Sequence, residues 1–497
     1  MPQVDRLNVV VVMADDLAIW ALGCYGNAEI RTPHIDALAR GGTRFTEFYC
    51  TSPVCSPSRA SMLTGRIPSA HGVHDWIRGG NGQDDPGISY LAGQASYPRI
   101  MADAGYTCGI SGKWHLGDSP SPQQGYTHWF VHPSGGGRYH DAVMYRDGRR
   151  VATQGYLTDV ITDDAVGFLR ARADDDAPFL LNVNFTAPHS PWVDQHPADL
   201  VDSYADCEFA SCPQETRHPW IEQHPIEMDN TEQNADPARG PVTIRDHLQG
   251  YFAAVTALDR CVGRLVGELR ALSLEESTLL LVTSDNGFNC GHHGIWGKGN
   301  ATFPQNMYDS SVKVPMIASL PGRVPVAEVD SMLSGYDLLP TLLEVTGLAD
   351  RLPTGLPGRS FLPDLEGRDA GPDRPVVVYD EFGPTRMIRT REVKYVHRYP
   401  YGPHELYDLV RDPDERINLL LDQRVLDRDE PDRLTRAAEL RTHLERWFDR
   451  YADPRRDGRV QAVTGRGQLL PVGQPGAEAF HQFEARKELD ASYRDPA

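Results

Sequence analysis

The sequence predicts an α/β fold: a mixed, mainly parallel β-sheet sandwiched by helices and followed by a smaller antiparallel α+β unit. Three observations carry this expectation. Strand-like apolar runs alternate with helical patterns through the first three quarters of the 497 residues, as they do when helices cover both faces of a parallel sheet. Three of those runs end in Asp15-Asp16, His189 and Asp285-Asn286, and the carboxyl edge of an open parallel sheet is where ligands bind. Past a stretch rich in Gly, Pro and Asp, the pattern changes to short strands separated by turn residues.

In chain order, the apolar runs Leu7 to Met13, Thr107 to Ser111, Phe179 to Phe185, Thr278 to Ser284 and Val314 to Ser319 read as strands. His34 to Arg40, Pro57 to Thr64, Leu157 to Ala171, Arg245 to Leu272 and Asp337 to Thr346 read as helices. Residues 190–240 are rich in Pro, His, Asp and Gln and predict a long insertion at the ligand edge, with its histidines solvated. Gly355 to Pro375 reads as a linker. Val376 to Phe382, Thr385 to Thr390, Val393 to Tyr399 and Glu405 to Leu409 follow as short strands, then a helix over Asp432 to Tyr451. The expected division is a large domain over 1–370, a small subdomain over 371–453 and an irregular tail over 454–497.

Composition narrows the function. Hydrophobic residues make up 40% of the chain, enough for a sizeable core, yet no apolar run reaches the roughly 18 residues a membrane-spanning helix needs. Acidic residues outnumber basic ones 69 to 49, a net charge of -20, which argues against nucleic-acid binding. A long polyanion is a poor partner too, unless a local basic pocket overrules the global field. The start of the chain passes directly into Leu7 to Met13, too short and too soon followed by Asp15-Asp16 for a secretory leader, so a cytoplasmic location is expected. The eight cysteines are scattered and read as reduced thiols, with only Cys207 and Cys212 close enough to form a local pair. Oligomeric state is left open, a homo-oligomer included.

Five motifs carry chemistry. Cys55-Ser56-Pro57-Ser58-Arg59 precedes Leu63-Thr64-Gly65-Arg66, and the proline after Cys-Ser predicts a helix N-terminus whose N–H groups and dipole face Cys55 and favour an anion. Asp15-Asp16 and Asp285-Asn286 offer three carboxylates and one amide oxygen, a plausible protein share of a hard-cation shell. Taken alone, an Asp-Asp pair at a strand end is more often a cap or turn. The remaining three are Gly112-Lys113-Trp114-His115-Leu116-Gly117, Ala187-Pro188-His189-Ser190-Pro191 and Gly294-Ile295-Trp296-Gly297-Lys298-Gly299. Lys113 and His115 lie two apart on an extended stretch and can enter one pocket. His292 and His293 are further candidates to line it.

Together these motifs, spread over residues 7 to 320, resemble those of the formylglycine-dependent type I sulfatases of the alkaline-phosphatase-like superfamily. The resemblance implies that Cys55 is oxidised to formylglycine (3-oxoalanine) by a separate formylglycine-generating enzyme. It implies one calcium ion held by Asp15, Asp16, Asp285, Asn286 and the modified Cys55. The catalytic set it implies is Cys55, Arg59, Lys113, His115, His189 and Lys298. One hydroxyl of the hydrated aldehyde attacks sulfur, Arg59 and Lys113 hold the hydrate, and His115 takes the proton that releases sulfate. Lys298 and His189 bind the sulfate and protonate the departing atom. The implied activity is that of a sulfuric ester hydrolase acting on a sulfate ester or sulfamate of a carbohydrate or small organosulfate. Trp192 and Trp220, in the insertion directly after His189, are expected to form a wall for the substrate.

Three rival readings remain. Phosphonate monoester or phosphodiester hydrolases of the same superfamily more often carry Asp-His where this chain has Asp285-Asn286, and often lack the second aspartate of the first pair. A non-catalytic homologue is disfavoured because every expected position holds a competent residue. A phosphomutase or alkaline-phosphatase-like enzyme does not need Cys-Ser-Pro-Ser-Arg.

Overall fold

The computed structural model describes residues 7–78, 87–221, 227, 241–381, 384–421, 432–459, 467–468 and 471–472. At its centre is a ten-stranded sheet of β1 (Asn8–Asp15), β2 (Thr43–Phe45), β3 (Thr107–Lys113), β4 (Tyr126–His132), β5 (Val143–Arg146), β6 (Arg149–Ala152), β7 (Phe179–Pro188), β8 (Thr278–Ser284), β9 (Met316–Ser319) and β10 (Ala327–Val329). Their spatial order is β10-β2-β9-β8-β1-β7-β3-β4-β5-β6. The middle five, from β8 to β4, run parallel.

Burial explains why β1 is a near-continuous valine run. Val9, Val11 and Met13 face one hydrophobic core, while Val10, Val12 and Ala14 face the other. A parallel strand covered on both sides has no polar face to alternate with. Three edge features escape the periodicity. The expected strand at Val314 to Ser319 is β9, and it pairs antiparallel with β8. The hairpin β5-β6 and the short strands β2 and β10 extend the sheet with segments too short to carry a pattern.

Among the described residues, six helices of eight or more residues frame the sheets: α1 (Pro33–Gly41), α2 (Cys55–Thr64), α3 (Leu157–Arg172), α4 (Ile244–Ala271), α5 (Leu338–Val345) and α6 (Asp432–Tyr451). Helix α4 starts at a reciprocal cap in which Thr243 and Asp246 satisfy each other's backbone N–H groups. Helices α1, α3 and α4 contribute to one core and α2 and α5 to the other. All ten residues of α2 are buried.

A four-stranded antiparallel sheet follows: β11 (Val376–Asp380), β12 (Thr385–Arg389), β13 (Val393–Arg398) and β14 (Glu405–Asp408). Its alternation has a clear cause. Val376, Val378, Met387 and Val396 join the core around α2, while Val377, Tyr379, Ile388 and Leu406 pack under Leu440, Leu444 and Phe448 of α6.

Several expectations need correction. The stretch read as a linker is packed down: Phe361 and Leu365 sit in the main core, and Asp337 accepts a hydrogen bond from the N–H of Arg359 at 2.7 Å. Trp192 is no substrate wall. It is buried among Tyr251, Phe288 and His247, and its Nε1 donates to Pro188 O at 2.7 Å. His196 is not solvated either; it is buried against Tyr139 and bonded to Tyr156 Oη at 2.9 Å. Residues 222–226 and 228–240 of the insertion, and most of the tail expected to be irregular, lie outside the described residues. Among the described residues no helix is long and apolar enough to cross a membrane.

Candidate active site

The carboxyl ends of β1, β3, β7 and β8 and the N-terminus of α2 deliver the motif residues to one place. Asp15 closes β1, at a break in its register with β7 between Met13 and Asp15, and Asp16 follows with φ 64°. Lys113 closes β3, His189 follows β7, and Asp285-Asn286 follows β8. Cys55 is the first residue of α2 and is 3% exposed. Val54 before it is extended and makes no side-chain hydrogen bond that caps the helix end.

Ligand atoms of Asp15, Asp16, Cys55 and Asp285 all lie within 4.8 Å of one another. Each carboxylate has a cation. Lys113 Nζ pairs with Asp15 Oδ2, Lys298 Nζ with Asp16 Oδ1 at 2.6 Å, and Arg59 Nε with Asp285 Oδ2 at 2.7 Å. Asn286 Nδ2 donates to Asp16 Oδ1 at 2.6 Å, while its Oδ1 is buried with no hydrogen-bond partner among the described residues. Converging carboxylates with an orphaned amide oxygen fit a hard cation, because a buried acceptor left unpaired is costly and a metal satisfies it.

The cysteine sits between opposite charges: Sγ is 3.2 Å from Asp15 Oδ1, and Lys298 Nζ donates to it at 2.7 Å. Burial, then the charge of Asp15, pushes its thiol up to about 12. Burial also raises Asp15, but Lys113, His189, Lys298 and Arg59 outweigh it and hold this carboxyl well below its ordinary range. Burial opposes the charge on Lys298, yet Asp16 and the neighbouring acids keep its ammonium well above the usual lysine value.

The two histidines are anchored through different ring nitrogens. His115 Nε2 lies 3.1 Å from Ile77 O, so it carries the proton, and Nδ1 is buried, without a hydrogen-bond partner among the described residues and free to accept one. Burial and Lys113 push this imidazole well below its usual value, so it is neutral. His189 Nδ1 lies 2.7 Å from Ser190 O and donates there. Its Nε2 is 3.8 Å from Asp16 Oδ2, and the side chain keeps 25% of its exposure.

All residues singled out as catalytic or metal-binding are therefore brought together. His292 and His293 point elsewhere. His292 packs on Trp20 and bonds Ser211 O, and His293 stacks on Tyr308 at 3.7 Å. The cysteines are all free thiols, and the sulfur partner of Cys212 is Cys290. The motifs missed the segment His132 to Tyr139. His132 ends β4 beside β3, and Tyr139 Oη donates to His189 O at 2.6 Å. Recognising Tyr126 to His132 as a strand would have placed His132 at the same edge as Lys113.

Comparison with known proteins agrees with this geometry. The family model "Sulfatase" matches residues 7–348, and the model "N-sulphoglucosamine sulphohydrolase, C-terminal" matches 291–435. An N-acetylglucosamine-6-O-sulfatase of Bacteroides thetaiotaomicron is 28% identical over 84% of this chain and 83% of its own length. The uncharacterised sulfatase YidJ of Escherichia coli is 30% identical over 85% and 84%. Among solved structures, one in complex with its substrate D-glucosamine-2-N,6-O-disulfate superposes with a TM-score of 0.75 at 24% identity, covering 91% of this chain and 99% of that one. The chain belongs to the sulfatase family, with the alkaline-phosphatase-like fold, and is a sulfuric ester hydrolase.

Proposed function

We propose that this enzyme hydrolyses the sulfate ester of a sulfated carbohydrate, using Cys55 after its conversion to formylglycine and one calcium ion. The carrying observation is Cys55 at the start of α2, between Lys298 and Asp15 and within the cluster of Asp16 and Asp285. Asp15, Asp16, Asp285 and Asn286 would hold the calcium, which supplies positive charge to orient the sulfate and to acidify a nucleophile beside it. The aldehyde hydrate supplies one hydroxyl to attack sulfur and a second through which sulfate leaves by elimination.

The chain's own residues do the rest. Lys298, 2.7 Å from the position-55 side chain, binds a sulfate oxygen and concentrates charge where the transition state develops it. Arg59 and Lys113 anchor the opposite side, and the buried, unpaired Nη2 of Arg59 is available to an oxygen at position 55. His115 receives the proton at Nδ1, the one ring nitrogen left without a partner. His189, its Nδ1 anchored on Ser190 O, delivers a proton from Nε2 to the leaving oxygen as imidazolium, and its partial exposure puts it on the side from which substrate enters.

A carbohydrate is favoured by the named activity of the Bacteroides relative and by the ligand of the solved neighbour. Asn286, where a histidine is more usual in phosphonate and phosphodiester hydrolases, supports sulfate over phosphonate. The test is release of free sulfate from a panel of sulfated sugars and aryl sulfates, run beside a phosphonate monoester. Faster turnover of the phosphonate than of any sulfate would reject this reading.

A further inference from the structure

Three consecutive glycines, Gly135, Gly136 and Gly137, each abut a different imidazole. A Cβ on Gly135 would lie 2.3 Å from Cε1 and 2.7 Å from Nδ1 of His115. One on Gly136 would lie 2.9 Å from Cε1 of His189, and one on Gly137 would lie 3.2 Å from His132. None of the three has a φ in the left-handed region. Their backbone suits any residue, so what glycine contributes here is space.

We infer that Gly135 and Gly136 are positioning residues for the reaction, forming a strap whose bare backbone fixes the rings of His115 and His189. The strap is itself held at both ends. At one end, His132 Nδ1 lies 3.0 Å from Ser134 O and 3.3 Å from its N–H, and Ser134 Oγ donates to Gly136 O at 2.8 Å. At the other, Tyr139 Oη donates to the backbone carbonyl of His189 at 2.6 Å. The chain that passes over the two rings is thus tied to the backbone of one of them.

The strap covers the ring face of His115, while Ile77 O fixes its Nε2 edge, so the unpartnered Nδ1 is left with one orientation. His115 is 4% exposed and cannot retreat into solvent. A methyl group at 135 would have to rotate the ring out of plane or push the strap away. Rotation displaces the proton-accepting atom by a distance comparable to the overlap, and a displaced strap strains its ties at Ser134 and Tyr139 and no longer holds the ring face.

This inference rests on the roles proposed for His115 and His189, and the experiment separates the two. Wild type, Gly135→Ala, His115→Ala and the double variant are compared for kcat and KM on para-nitrophenyl sulfate and for denaturant midpoint. A displacement of about 1 Å costs on the order of 100-fold in rate. Gly135→Ala is therefore expected to lower kcat roughly 10- to 100-fold, with KM within about threefold. In the His115→Ala background, where the ring is gone, the same change should alter kcat by less than about twofold and restore the midpoint lost in the single variant. If Gly135→Ala fails to fold while the double variant folds, the steric contact is shown by stability alone. An unaffected His115→Ala enzyme would reject the role of the histidine. Equal losses from Gly135→Ala in both backgrounds would overturn the strap and leave that role standing.

Discussion

Lys298 donates to Cys55 Sγ at 2.7 Å and to Asp16 Oδ1 at 2.6 Å, so one ammonium joins the position of the nucleophile to the cation-binding cluster. The loop that carries it is held by Asn306, whose Nδ2 donates to Lys298 O at 3.0 Å. Lysine serves both partners as a point charge, whereas arginine would present a planar fork of fixed donor geometry.

The consequence is testable by truncation. Lys298→Ala removes a preorganised donor from the place where sulfate charge develops, and kcat is expected to fall on the order of 100- to 1000-fold. Lys298→Arg should recover only a small part. The control is metal content by elemental analysis: calcium should stay bound in Lys298→Ala, because Asp16 loses a competitor for its oxygen. Full activity of the alanine variant would remove Lys298 from the mechanism.

Calcium removal should cost stability as well as turnover. Asp15, Asp16 and Asp285 converge in a buried site, and without a cation they depend on Lys113, Lys298 and Arg59 for compensation. A ligand at a hundredfold excess over its Kd adds about 2.7 kcal/mol to the folded state. Exhaustive chelation is expected to lower Tm and abolish turnover, with calcium restoring both. Asn286→Leu, which deletes the orphaned amide oxygen, should raise the calcium concentration needed for that rescue. A chelated, metal-free sample with undiminished activity would sink the metal assignment.

How much of this was legible in the sequence follows from what each signal encodes. The strands β1 and β8 were visible because burial on both faces demands near-continuous apolar runs, and β7 because apolar residues still dominate it around the buried Asn182 and Asn184; the Asp and His residues at their ends stood out against that background. Edge strands β2, β5, β6 and β10 span three or four residues each and carry too little period to read. Strand direction is not written in hydrophobicity at all, which is why β9 emerged as antiparallel. Trp192 misled because an aromatic residue beside a functional motif looks the same whether it faces a pocket or the core. Only the fold, which packs it edge-to-face against Tyr251 and Phe288, decides. Nothing in the sequence marks Gly135 to Gly137, because a glycine required for space has the same letter as one required for its φ.

Acid sensitivity should include a contribution from His196. Burial, then the charge of His140, pushes this imidazole down to about 3, against about 6.5 in an unfolded chain. The folded state therefore disfavours its protonation. The stability that neutral His196 contributes is complete above about pH 6.5 and is lost progressively as pH falls from there toward 3. At pH 5 the loss amounts to about 2 kcal/mol. Denaturant unfolding at pH 7.5 and pH 5 should show this difference in wild type and a smaller one in His196→Asn, which keeps a polar partner for Tyr156 Oη but cannot titrate. Identical pH slopes in the two proteins would exclude His196 as a contributor.

The strongest prediction concerns position 55. Burial and Asp15 hold the unmodified thiol protonated at neutral pH, and a thiol pushed up to about 12 is a weak nucleophile and a weak metal ligand. Conversion to formylglycine replaces it with a group that needs no low thiol pKa to act. Arg59 closes the tryptic peptide Phe45 to Arg59, so the site is directly observable. In protein made in cells that own the maturing oxidase, mass spectrometry of that peptide should show the loss expected when a thiol becomes an aldehyde, at Cys55 and not at Cys50. Cys55→Ala should abolish sulfate release while shifting Tm little, because the side chain meets Lys298 and Asp15 and fills no apolar space. Cys55→Ser keeps a single hydroxyl and lacks the second through which sulfate leaves by elimination. It should release at most one equivalent per enzyme of the alcohol product and then stop. Sustained turnover by the serine variant, or an active enzyme whose Cys55 is wholly unmodified, would show that the second hydroxyl is not what the chemistry requires.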